Sequence, residues 1–248
     1  MSAAPLRFDS LSGWLRHVET ARRELPAGHT LYFRGQHHDW PLLPGIARAD
    51  RQSLLARESR LLQDFRRQAP VSLDHAPKTL KRWQALDWLA LGQHYGLPTR
   101  LLDWTLSPEV ALWMALHDFA SGRLRHQPDQ QPVLWLLRVD RQVSHASAKL
   151  FREPLAVRQT WFLPHPLDHI ARVRAQQGSF TLFYQPAGGF VPLEKQKRFA
   201  DRLTAFHPEA ASLPQLSEEL AQAGFDHARL SPPQLEALTK QLQKTPLP

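Results

Sequence analysis

The sequence predicts an α+β fold, a small and mostly antiparallel sheet surrounded by helices. Two observations predict it. Apolar residues recur at helical spacing over several long stretches, while short apolar runs bounded by turn residues stand between them as strands. Proline and glycine mark the changes from one pattern to the other, and no internal repeat or low-complexity tract suggests a solenoid.

Taken in order, residues 10–24 read as an amphipathic helix. Leu11, Trp14, Leu15 and Val18 share a face, with Arg16, Glu19 and Arg22 on others. Pro26-Ala27-Gly28 ends it, and Thr30 to Gly35 reads as a strand closed by Gly35. Trp40 to Gly45 must be extended or turning, because proline restricts itself and its predecessor. A long helix is predicted from about Asp50 to Arg67, with Leu54, Leu55, Glu58, Leu61, Leu62 and Phe65 inward. Another runs from about Lys81 to Tyr95. Gly96 is its C-cap, with Pro98 just beyond.

The next helix starts with Thr105 or Ser107 as N-cap, Pro108 in the first turn and Glu109 beside the positive helix end. Val110, Trp113, Met114 and His117 fall on one face, and Ser121-Gly122 closes it. Gln131–Val139 and Ser179–Tyr184 are strand candidates, separated by a proline-punctuated stretch read as loops and short helices. Helical periodicity returns over about 194–245, with Leu216, Leu220, Phe225, Leu235, Leu238 and Leu242 inward. A single domain over 10–245 is expected, its core at about 25–190.

Composition narrows the function. Of 248 residues, 42% are hydrophobic and 22% charged, as in ordinary globular proteins. The absence of cysteine excludes disulfides, thiolate nucleophiles, iron–sulfur clusters and cysteine zinc sites. No apolar run approaches the roughly 20 residues that span a bilayer, and no signal peptide opens the chain, so a cytoplasmic protein without a membrane partner is expected. The formal charge of +8 is compatible with nucleic acid, yet the basic residues are spread along the chain. A phosphate-bearing small ligand needs only two or three of them.

Two polar clusters carry the chemistry. Tyr32-Phe33-Arg34-Gly35-Gln36-His37-His38-Asp39-Trp40 ends the first strand, and Gln93 to Thr105 reads as a polar hinge between two helices. Arg34 offers a planar fork suited to phosphate or carboxylate, and Gly35 admits a ligand or another backbone. Asp103 is its alternative partner. His94 closes a helix, as a capping cation or a general base. Asp103-Trp104-Thr105 leads into a helix N-terminus suited to an anion, with capping and core packing as the competing roles. No P-loop, G-x-S-x-G or H-E-x-x-H is present. No metal is expected at His37-His38-Asp39, whose side chains on an extended segment would point apart.

These residues resemble the FRG domain family, named for its (F/Y)-R-G motif. The similarity lies in Tyr32-Phe33-Arg34-Gly35-Gln36, the acid-bearing helix with Glu58, the run Gln93 to Thr105, and the helix with Pro108, Ala111 and Leu112. A late element adds Arg172, Gln176 (or Gln177), Gly178 and Phe180. The layout is also similar to ADP-ribosyltransferases. That resemblance implies NAD as ligand, a protein or nucleic-acid acceptor, and a role as toxin or phage-defence effector. It implies Arg34, His94, Asp103 and Gln176 at the chemistry. Around the ligand it implies Arg34, Gly35, Gln36, Gln93, Tyr95, Thr99, Arg100, Trp104 and Thr105. The carboxylate usual before the late strand is missing, since Gln176 or Gln177 stands there. The alternative is a non-catalytic module that binds a nucleotide, nucleic acid or protein.

Overall fold

Seven short strands join into one mixed sheet in the computed structural model, which describes residues 6–48, 58–72, 83–94, 96–120, 131–164, 170–226 and 230. The strands are β1 (Leu6–Phe8), β2 (Thr30–Gln36), β3 (Leu101–Thr105), β4 (Val133–Val139), β5 (Trp161–Leu163), β6 (Gly178–Leu182) and β7 (Leu203–Pro208). Their order is β1-β7-β4-β2-β3-β6-β5, and only the β1–β7 pair is parallel. The longer helices are α1 (Leu11–Arg23), α2 (Glu58–Ser72), α3 (Ala85–His94) and α4 (Pro108–Ala120). The later ones are α5 (Ala148–Arg152), α6 (Ala171–Ala175), α7 (Lys197–Ala200) and α8 (Leu213–Gln222). The fold is α+β, and none of the described helices is long and apolar enough to cross a membrane.

Local chemistry explains the helix ends. Ser10 caps α1 by accepting the Gly13 N–H. Gly96 takes φ +91° after α3, and the Leu97 N–H reaches back to the Gly92 carbonyl at 2.8 Å. Of the two N-cap candidates for α4, Ser107 is the cap: its Oγ accepts the Val110 N–H at 3.1 Å. Thr105 lies in the strand before it.

Alternation along β2 sets the layers. Leu31 and Phe33 face α1, α4 and α8 in one apolar cluster, with Trp14, Val110, Leu134, Leu136 and Leu216. Tyr32 points the other way, into a cluster with Leu42, Trp104, Leu137, Phe162 and Phe183. Gly35 lets α4 lie directly on β2. A Cβ there would sit 1.8 Å from the Ala111 carbonyl oxygen. A third cluster packs α2 and α3 through Leu61, Phe65, Leu86 and Leu89 onto Leu101, Phe180 and Leu182.

Three expectations need correction. Residues 101–105 are a strand and not a hinge. Four of its five residues are buried, so β3 shows no alternating pattern to read. Residues 203–208 form β7 inside the stretch read as helical, because α7 and α8 on either side supply the helical spacing. The segment 141–168 holds β5 as well as short helices, and β5, like β1, spans three residues, too few to carry a period. Leu54, Leu55, Leu235, Leu238 and Leu242 lie outside the described residues.

Candidate functional site

The two motif segments meet where the sheet opens. β2 pairs with β4 along all seven of its residues, but with β3 only at Phe33↔Thr105. Beyond that pair the ladder does not continue. Alternation puts Arg34 on the face of Tyr32 and Asp103 on the face of α3, so a closed ladder would keep them apart. In the gap they come together. Arg34 Nη1 donates to the Asp103 carbonyl at 2.9 Å and stands 3.8 Å from Asp103 Oδ2. An arginine side chain thus occupies the place of a strand-to-strand hydrogen bond.

A continuous chain of hydrogen bonds runs outward from this pair. Arg34 Nε donates to Gln36 Oε1 at 3.1 Å, and Gln36 Nε2 donates to the Trp40 carbonyl at 2.9 Å. On the other side Gln93 Nε2 donates to Asp103 Oδ1 at 2.7 Å. Thr99 Oγ1 donates to Gln93 Oε1 and accepts the Leu101 N–H. Gln36 and Thr99 are buried, as groups with satisfied polar atoms can be.

What remains open lies at the centre. The Asp103 side chain is 36% exposed, and among the described residues Oδ2 meets only the loose contact with Arg34. Among the described residues, Arg34 Nη2 makes no hydrogen bond. Burial pushes the Arg34 guanidinium down to about 10; Asp103 opposes that shift and Arg48 adds to it. Arg34 therefore stays charged at neutral pH. The pair presents one cation and one anion, each with bonding capacity left.

Arg100 is arranged differently. Its guanidinium forks onto Glu58, with Nε 3.0 Å from both carboxylate oxygens, and Nη1 donates to the Leu155 carbonyl at 3.3 Å. Both side chains are buried. This pair pins the start of α2 to the start of β3.

Several of the other expected residues serve the framework. Trp104 is fully buried and its indole donates to Thr181 Oγ1 at 2.7 Å. Thr105 Oγ1 donates to the Gln176 carbonyl at 2.6 Å and accepts the Ser107 N–H. Gly35 faces the α4 backbone. Gln176 is the member separated from the rest, because its buried amide donates to the Leu230 carbonyl at 2.7 Å and touches neither Arg34 nor Asp103. Gln177 is exposed at φ +48°. His94 packs edge-on against Phe180, the β6 residue that pairs with Asp103, so it shares the Asp103 face. Tyr95 lies outside the described residues.

Sequence reading missed three contributors. Trp135 stands directly across β4 from Arg34, half-buried, with an indole N–H that is buried without a hydrogen-bond partner. Only the register could reveal it. Arg48 lies close enough to Arg34 to oppose its charge, and its guanidinium stands 5.4 Å from the Trp40 ring centroid. Trp40 itself belongs to the first polar cluster but had no assigned role. His37 and His38 are not extended either. The chain bends there and their rings touch, with centroids 4.8 Å apart. Among the described residues no three His, Asp or Glu side chains group to hold a metal.

Two surface cavities of about 480 Å³ each lie apart from this pair. Arg7, Arg16, His17 and Glu209 help line one, and Leu11, Leu15 and Glu219 the other.

The fold and site define an α+β domain whose central strands part around an Arg–Asp pair built from two distant motifs. Residues 29–123 match the family model of the FRG domain, in the segment that holds both motifs. No curated protein and no solved structure matches the chain.

Proposed function

We propose that the gap between β2 and β3 binds a phosphate-bearing nucleotide, with NAD as substrate, and that the protein transfers or hydrolyses ADP-ribose. The observation that carries this reading is the partly exposed Arg34–Asp103 pair at the parted strands. Arg34 Nη2 is a donor for a phosphate oxygen. The buried indole N–H of Trp135, on the same face, is a second donor in want of an acceptor. Asp103 Oδ2 is the carboxylate available to stabilise positive charge at the sugar carbon as the bond to nicotinamide breaks. Nicotinamide leaves with the bonding electrons, and water or a macromolecular nucleophile adds at that carbon and loses a proton. A toxin or defence role would follow from such consumption of NAD.

The test is incubation of purified protein with NAD labelled on its adenylate, with and without cell extract. Nicotinamide release that disappears in Asp103→Asn supports the reading. No release and no label transfer across protein and nucleic-acid acceptors would remove it.

A non-catalytic binding module is the second reading, and one observation favours it. The amide of Gln176, expected near the chemistry, is tied to the Leu230 carbonyl and is not directed at Asp103. Binding of short RNA or DNA that weakens steeply with salt, without nucleotide binding, would select this alternative.

A further inference from the structure

Trp40 is tied to the site through Gln36. The tryptophan is 42% exposed, yet it is held in place. The rings of His37 and His38 meet it edge-on at centroid distances of 4.8 and 4.5 Å. The Arg48 guanidinium lies 5.4 Å from its ring centroid. Gln36 Nε2 fixes its backbone carbonyl, and the same Gln36 amide accepts from Arg34. A lone exposed indole needs no explanation. An indole braced on three sides and tethered through one glutamine to the phosphate-facing arginine is a placed aromatic surface.

We propose that Trp40 is the base-stacking platform of this site, so that the ligand is a nucleoside diphosphate unit and not a simple phosphate. The proposal rests on the reading of Arg34 as a phosphate ligand. The chemistry of each part fits such a molecule. A flat base covers the exposed indole, as every base has a π-face. The diphosphate lies toward Arg34, whose charge is disfavoured by burial and by nearby Arg48, and a bound anion offsets that. An inorganic anion would use the arginines and leave Trp40 idle.

The experiment is calorimetric titration of the full-length protein with ADP and, separately, with pyrophosphate. Wild type, Trp40→Ala, Trp40→Phe and Arg34→Ala are compared. Trp40→Ala should weaken ADP by roughly tenfold to a hundredfold and leave pyrophosphate unchanged, while Trp40→Phe restores most of the loss. Arg34→Ala should weaken both ligands. Equal ADP affinity in wild type and Trp40→Ala overturns the platform while leaving the Arg34 reading intact. Equal losses for ADP and pyrophosphate also overturn it, because Trp40 would then only brace the loop. A wild type that binds neither ligand removes both readings. ADP binding through Trp40 without NAD turnover upholds the platform and removes only the enzymatic reading.

Discussion

Two arginine–carboxylate pairs, each using a residue of the Gln93–Thr105 segment, divide the work of this domain. Arg100 and Glu58 are 8% and 5% exposed and meet in a tight fork, whereas Arg34 and Asp103 are 12% and 36% exposed and stand 3.8 Å apart. The first pair has little left to offer a ligand, and its value is positional: it joins the start of α2 to the start of β3. Among the described residues, the second keeps a guanidinium edge and a carboxylate oxygen without a hydrogen bond, because the strands carrying it do not close on each other. A charged residue in a motif is thus no guide to function until its partner's geometry is known. Burial with full pairing makes architecture, and exposure with partial pairing leaves room for chemistry.

The largest expected effect comes from breaking the closed pair. Glu58→Ala strands the Arg100 charge in the core and should destabilise the domain by about 3–5 kcal/mol, read as a shift in denaturant midpoint. Replacing both, Glu58→Leu with Arg100→Met, should recover much of that loss. A single substitution costing under about 1 kcal/mol would erase the contrast between the pairs. Gly35→Ala comes next. Its Cβ would collide with the Ala111 carbonyl and force α4 off β2, at the upper end of the roughly 1–3 kcal/mol typical of overpacking.

The open pair should behave in the opposite way. Asp103→Asn should change stability by less than about 1 kcal/mol, because the carboxylate is partly solvated. NAD turnover by the same variant should fall roughly 10²–10³-fold. Equal losses of stability and turnover would show that Asp103 is merely another structural acid.

The smallest effect is in pH dependence. Arg34 is pushed down to about 10 chiefly by burial, so pyrophosphate binding should weaken as pH rises through that value. The unfolded chain keeps this proton to higher pH, so between about 10 and the ordinary arginine range the group's contribution to stability rises with pH. Titrations of wild type and Arg34→Lys over that range would separate this residue from the other bases.

Much of the arrangement is legible in the sequence, and the gaps have physical causes. Gly96 and Ser107 announce helix ends because caps act through their own side chain or φ angle. Strand β2 shows itself in Thr30 to Gly35. Strand β3 stays hidden because it is buried on both faces and its one partly exposed residue, Asp103, belongs to the site. The junction of Arg34 with Asp103 can be suspected from two polar clusters, but the parting of β2 from β3 exists only in the register. Trp135 and Arg48 come to Arg34 through tertiary structure alone. Gln176 shows the reverse failure: a polar residue at a motif position, drawn away by a carbonyl 54 residues later in the chain.

The central claim is that the Arg34–Asp103 pair holds a ligand and does not chiefly hold the sheet together. Titration of ADP into wild type and Arg34→Ala, with thermal melts of both, tests it most directly. The account predicts that Arg34→Ala melts within a few degrees of wild type and loses ADP binding at least about tenfold. An Arg34→Ala protein that melts far lower yet binds ADP as wild type does would contradict it.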